Sequence, residues 1–109
     1  MKKVEDLIKT HLPMSETAFY ILLSLQIPRH GYGISKFVAV LTEYKVKLGS
    51  GTIYGTLTKM QRDEMIEVYD DSGGKITYII SDIGKKVLNA EKERIERLYK
   101  NSIAEITLE

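Results

Sequence analysis

The chain has 109 residues, 28% of them charged and 43% hydrophobic, with no cysteine and a formal net charge of +1. That length and balance fit one domain with a modest core, and the missing cysteine excludes disulfides, thiolate metal sites and thiol redox sensing. With only His11 and His30 as imidazoles a metal site is a poor expectation, and no apolar run approaches the roughly 18 residues that span a bilayer, so a cytoplasmic protein with neither metal nor cofactor is expected.

Taken in order, the elements begin with Val4, Leu7, Ile8, His11 and Leu12 at helical spacing, which predicts a short amphipathic helix over 3–11, ended by Pro13. Ser15 is placed to cap a second helix. Its Phe19, Ile21, Leu22, Leu23, Leu25 and Ile27 have almost no polar relief, as in a buried helix, and Pro28 stops it. After a turn at 29–33, Ile34, Phe37, Val38 and Leu41 mark a short third helix, and a polar connector runs from Thr42 to Leu48. Gly49, Ser50 and Gly51 open a fourth helix over 50–62 with Ile53, Leu57 and Met60 on its buried face. The period then changes to alternation: Ile66 and Val68, a turn from Asp70 to Gly74, and a return strand through Ile76, Tyr78 and Ile80. Ser81 or Asp82 caps a final helix bearing Ile83, Val87, Leu88, Ile95, Leu98, Tyr99, Ser102, Ile103 and Ile106. Surface pairs such as Glu93–Arg97 and Glu96–Lys100 give it ordinary helical support.

Helices, a hairpin and a long terminal helix in this order give an α+β winged helix-turn-helix. We expect a single domain, 1–109, with a DNA-binding part over 13–81, a dimerisation helix over 82–109 and a short extra N-terminal helix. Charge distribution agrees. Residues 29–62 carry Arg29, Lys36, Lys45, Lys47, Lys59 and Arg62 against Glu43 alone, whereas 63–81 carry Asp63, Glu64, Glu67, Asp70 and Asp71 against Lys75. A basic block confined to one segment is the electrostatic footprint of phosphate binding, though charge alone more often marks a solvated face.

In a helix-turn-helix the second helix enters the major groove. Opposite the buried stripe of helix 50–62, steps of about 100° place Gly51, Gly55, Thr58 and Arg62, flanked by Thr52, Tyr54 and Lys59. Small residues admit the backbone to the groove floor, cations pair with phosphate or guanine, and hydroxyls reach phosphate or bases. Free N–H groups at Gly49-Ser50-Gly51 suit a phosphate. The expected DNA contacts are Lys36, Lys47, Ser50, Gly51, Thr52, Tyr54, Gly55, Thr58, Lys59, Arg62 and Lys75. A nucleotide loop is rejected: Tyr54 stands where a dinucleotide loop needs glycine, and the Gly-Lys-Ser/Thr of a Walker loop is missing. No catalytic constellation is present either. Ser15 and Ser50 are better explained as caps than as nucleophiles, and His30, in a turn without an acidic neighbour in sequence, as a turn-stabilising or phosphate-contacting group.

Four stretches carry a resemblance: Phe19-Tyr20-Ile21-Leu22-Leu23-Ser24-Leu25, His30-Gly31-Tyr32-Gly33-Ile34, Gly49-Ser50-Gly51-Thr52-Ile53-Tyr54 with Leu57, and Thr77-Tyr78 leading to Ser81-Asp82-Ile83-Gly84. In this order and spacing the chain resembles the PadR-like transcriptional regulators. The resemblance implies a winged-helix dimer held by its last helix, repressing a promoter and often released by a small aromatic or drug-like molecule. It implies that Tyr54 touches backbone phosphate and that Gly31 and Gly33 shape the turn into the third helix. There are departures. The wing has Lys75 in place of a basic run, with repelling Asp70 and Asp71. Glu64 stands where a glycine closes the reading helix. The helix at 3–11 exceeds what a minimal member needs.

The final helix has a stripe, Leu88, Ile95, Leu98, Tyr99, Ser102 and Ile106, with nothing left in its own chain to cover it, and Val4, Leu7 and Ile8 are expected to pack on the same region of a homodimer interface. An effector pocket there would draw on Phe19, Tyr20, Leu23, Ile95, Leu98 and Tyr99, although packing is the commoner use of such aromatics. The rival expectation is a winged-helix protein-interaction module that binds no DNA, favoured by the acidic hairpin and opposed by the basic block.

Overall fold

The computed structural model describes residues 4–108, and its elements follow the predicted order: α1 (Val4–His11), α2 (Glu16–Ser24), α3 (Gly31–Leu41), α4 (Ser50–Arg62), β1 (Ile66–Asp70), β2 (Thr77–Ile80) and α5 (Asp82–Ser102). Lys3, where the first helix was predicted to begin, and Glu109 lie outside the described residues. Three helix starts are made by the side chains at their caps. The Ser15 hydroxyl accepts from the Ala18 N–H at 3.0 Å, His30 Nδ1 from the Gly33 N–H at 3.2 Å, and the Ser81 hydroxyl from the Gly84 N–H at 3.0 Å. Each satisfies an N–H group that the helix itself leaves unpaired.

The core forms where the apolar stripes meet: Ile21, Leu22 and Leu25 after α2's first turn, Ile34 and Val38 of α3, Ile53, Leu57 and Met60 of α4, and Val87 and Leu88 of α5. Each side chain so buried is worth roughly 1.5–3 kcal/mol relative to exposure. The hairpin closes this core from below. Ile66 pairs with Ile80 and Val68 with Tyr78, with a register irregularity before Asp70. Its inner residues Ile66, Tyr78 and Ile80 are buried, and Val68 and Tyr69 are exposed.

The second helix ends earlier than expected, at Ser24 instead of running to Ile27. Its last turn tightens, the Leu25 N–H reaching Leu22 O at 3.1 Å. The freed Leu25 carbonyl then accepts from Ile80 N–H at 2.8 Å, and Arg29 exchanges both backbone bonds with Tyr78. The wing's second strand has therefore recruited the α2–α3 loop as a partner, an interaction between distant segments that periodicity does not register. Arg29 is drawn in as well: its Nε donates to Ser24 O at 2.7 Å and its guanidinium lies 4.4 Å over the Phe37 ring. One cation of the basic block thus serves the fold.

Helices α3 and α4 both finish with glutamate in the left-handed region. Glu43 has φ 54° and Glu64 φ 60°. At the end of α4 the Met65 N–H reaches Met60 O at 2.9 Å and the Glu64 N–H reaches Gln61 O at 3.0 Å, the paired bonds of a Schellman stop.

The final helix is shorter than predicted, ending at Ser102, so Ile106 lies beyond it and is 74% exposed. Two residues expected at a dimer interface, Leu7 and Leu88, are instead 3% and 2% exposed inside their own chain's core. Helical spacing gives a face but not whose side chains cover it. A charged group of α5 is buried beside them: Glu91, 1% exposed, accepts from Arg94 Nε at 2.6 Å, Arg94 Nη2 at 2.9 Å and the Met14 N–H at 3.1 Å. It ties α5 to the α1–α2 junction.

Candidate nucleic-acid interface

Helix α4 turns Ile53, Leu57 and Met60 into the core and leaves Gly51, Thr52, Tyr54, Gly55, Thr58, Lys59 and Arg62 exposed. Nothing lies within 4 Å of where a Cβ would stand on Gly51 or Gly55. The fold itself therefore does not require these glycines, and their absent side chains bare the helix backbone to whatever lies outside. No side chain caps α4 at Gly49, so its first N–H groups are open.

The flanking side chains are held to different degrees. Tyr54 is 51% exposed, and its ring rests on the start of α3: a Cβ on Gly31 would come within 2.5 Å of its hydroxyl oxygen and 2.7 Å of Cζ. A side chain at position 31 would push the Tyr54 ring off this seat. The Thr58 hydroxyl donates to Tyr54 O at 2.9 Å, so outward it offers an acceptor and a methyl group instead of the expected free donor. Arg62 is largely exposed, with Nε 3.4 Å from Asp63 Oδ1. The buried Asp63 carboxylate in turn meets His11 Nε2 at 2.8 Å. Burial alone would raise the Asp63 carboxyl; hydrogen bonds from His11 and Arg62 and their charges outweigh it and hold it below the ordinary range.

Hollows border α4 on both flanks. One, of about 320 Å³, lies towards the wing and is lined by His30, Tyr32, Tyr54, Gly74, Lys75 and Tyr78 among others. It brings the lone wing cation to the Tyr54 side of the helix. The other, of about 450 Å³, lies on the opposite flank between α4 and the α1–α2 junction, and includes Thr10, His11 and Ser15 together with Gly51, Thr52, Gly55 and Lys59.

The remaining expected contacts are more scattered. Ser50 borders a smaller hollow with Tyr32, Ser35 and Tyr54. Lys47 is exposed in the connector, whose Leu48 carbonyl accepts from the Ser35 hydroxyl at 3.3 Å. Lys36 lies on the outer face of α3 beside Arg29, Phe37 and Val40, and lines none of these hollows along α4. Sequence reasoning missed Thr10 and His11, and gave Ser15 and His30 only local roles. Their only sequence signal was polarity at helix ends. Of the residues expected to line an effector pocket, Phe19, Tyr20 and Leu23 are partly buried against the core, and Ile95, Leu98 and Tyr99 are exposed. Among the described residues no cluster of side chains could hold a metal, and no helix is long and apolar enough to cross a membrane.

Comparison with known proteins agrees with this geometry. The model of the transcriptional regulator PadR-like family matches residues 20–90. An uncharacterized protein of Lysinibacillus sphaericus is 28% identical over 88 residues, covering 77% of this chain and 77% of its own. The transcriptional regulator YqjI of Escherichia coli is 29% identical over 69 residues, 63% of this chain but only 33% of that longer protein. In fold, a transcriptional regulator from Clostridium thermocellum superposes with a TM-score of 0.69 at 23% identity, covering 92% of this chain and 96% of its own. A PadR family transcription regulator from Clostridium difficile gives a TM-score of 0.63 at 25% identity over 81% of this chain and 97% of its own. With the family model spanning well over half of its length, the chain belongs to the PadR-like family of transcriptional regulators.

Proposed function

We propose that the protein is a homodimeric repressor that reads a pseudo-palindromic operator with α4. The observation that carries this reading is the outer face of α4: two glycines with open space where their side chains would be, bordered by Lys59 and Arg62. A bare backbone lets a helix sit deep in a major groove, and cations at its far end meet phosphate or guanine. Lys36, Lys47, Ser50, Thr52, Tyr54, Thr58 and Lys75 are the further contacts. A mobility-shift titration against the promoter upstream of the chain's own gene tests it. A discrete, competitor-resistant complex is expected; no preference over unrelated DNA contradicts it.

The dimer is supported by α5. Its 21 residues end in an exposed apolar stripe of Ile95, Leu98 and Tyr99, the last two 51% and 64% exposed, continued by Ile103. Such a stripe in water favours a second copy. Val4, Ile8, Ser102 and Ile106 are the remaining interface residues. Release by a flat aromatic effector would use Phe19, Tyr20, Leu23, Ile95, Leu98 and Tyr99 across that interface, and it works only if the ligand binds the DNA-free spacing of the two reading helices more tightly than the bound spacing.

A protein-interaction module is the second reading. The wing favours it, with exposed Val68, Tyr69 and Ile76 beside Asp70 and Asp71. The same titration separates the two, since an interaction module leaves the promoter unshifted.

A further inference from the structure

A helix about 10–12 Å across nearly fills a major groove roughly 12 Å wide, so a phosphate strand runs along each of its flanks. On α4 these flanks are Tyr54 on one side and Thr52, Thr56 and Lys59 on the other, with Tyr54 and Thr52 roughly 160° apart around the axis. The Tyr54 flank opens into the hollow shared with the wing. The opposite flank opens into the groove of about 450 Å³ whose far wall is made by Thr10 and His11 at the end of α1 and Ser15 at the start of α2.

We infer that this second groove seats the other phosphate strand of the operator, making the N-terminal helix part of the DNA interface. The inference rests on the proposal that α4 enters the major groove. Three observations carry it. The groove is continuous with the reading face, since Gly51, Gly55 and Lys59 belong to both. Its chemistry suits a phosphodiester: hydroxyls of Ser15, Thr52 and Thr56 and the Lys59 ammonium line it, and no carboxylate does. By contrast, the hollow at the start of α5 is walled by Glu64, Glu67 and Asp82. Finally, the far wall is fixed to the reading helix. His11 meets Asp63, the C-cap of α4, at 2.8 Å, which joins the end of α1 to α4, and the Met14 N–H donates to Glu91 at 3.1 Å, which anchors the α1–α2 junction on α5. A wing with Asp70 and Asp71 beside Lys75 grips phosphate poorly, and this groove supplies a backbone hold on the opposite flank.

The natural chain has no cysteine, so Thr10→Cys introduces its only thiol. Among the described residues the Thr10 hydroxyl bonds to Asp6 O within α1, at 2.9 Å, so its replacement removes no hydrogen bond that holds the groove together. Iron–EDTA tethered to Thr10→Cys and, separately, to Thr58→Cys is used to cut a labelled operator duplex. The expected result is cutting from position 10 on backbone immediately flanking the cuts from position 58. In parallel, Thr10→Lys should tighten operator binding several-fold at low salt and steepen the log–log salt dependence by about one unit per subunit, while Thr10→Glu weakens binding comparably. Cutting from position 58 but not from 10, with the salt slope of Thr10→Lys unchanged, overturns the inference and leaves the reading of α4 intact. Failure of the unmodified chain to bind the duplex at all overturns both.

Discussion

At the scale of residues, three glycine-related positions separate stability from function. Gly55 is inside α4 with open space around it. Alanine there should stabilise the helix by about 0.8 kcal/mol, yet its methyl group would stand between helix and groove floor. Gly55→Ala should therefore melt a few degrees higher while binding operator several-fold more weakly; unchanged affinity would show that the backbone does not approach the DNA closely. Glu64, at φ 60°, carries the strain of a left-handed L-residue, roughly 1–2 kcal/mol. Glu64→Gly should raise the unfolding free energy by about 1 kcal/mol, and a fall in urea titration would show that the Glu64 side chain's own interactions outweigh that relief. Gly84 is the opposite case, because a Cβ would collide with the Met65 carbonyl at the start of α5. Gly84→Ala should cost about 3 kcal/mol or more, read as a lowered thermal midpoint. The strain at Glu64 was legible in sequence as a departure from the family's glycine. The tight fit at Gly84 was not, since its partner Met65 is brought there only by the hairpin.

At the scale of elements, what was legible followed periodicity and capping. The starts of α2, α4 and α5 and the core faces of α3 and α4 come from local signals, the starts at Ser15, Gly49 and Ser81, whereas α3 begins at Gly31, inside the expected turn at 29–33, with His30 as its cap. What failed depended on distant segments: α2 stops at Ser24 because the wing claims the Leu25 carbonyl, and Leu88 faces its own core. The buried Glu91 is another long-range feature. The hydrogen bonds from Arg94 hold its carboxyl below the ordinary range, burial opposing them and the Met14 N–H assisting. A carboxyl whose folded value is depressed contributes stability above the unfolded value and loses it as pH falls through the folded one. Stability should thus drop as pH falls below the ordinary carboxylate range, and Glu91→Gln should flatten that limb in urea titrations; an equally steep limb would mean other carboxylates dominate. Replacing Glu91 by alanine leaves the buried Met14 N–H without its acceptor and should cost about 2 kcal/mol at neutral pH. For the wing, Lys75→Ala should weaken operator binding less than Lys59→Ala, and the reverse order would show that the hairpin holds the backbone.

At the scale of the whole molecule, the sequence showed a winged helix with a long tail because each element is patterned locally and their order admits few packings. It did not show that α1 faces α4 across a groove, because that depends on His11 meeting Asp63, 52 residues apart. The molecule measures 63 × 36 × 20 Å, elongated in a way that suits pairing through an exposed α5 stripe. A sedimentation mass of two chains at micromolar concentration is expected, and a mass of one chain would remove the dimer. The central claim, that α4 reads DNA, is tested most directly by the salt dependence of operator affinity, measured by fluorescence anisotropy for the parent chain and for Lys59→Ala with Arg62→Ala. Loss of two phosphate-range cations should weaken binding at least tenfold and reduce the log–log salt slope by up to about two units per subunit. An unchanged affinity and slope in the double variant would mean that another surface, and not α4, holds the operator.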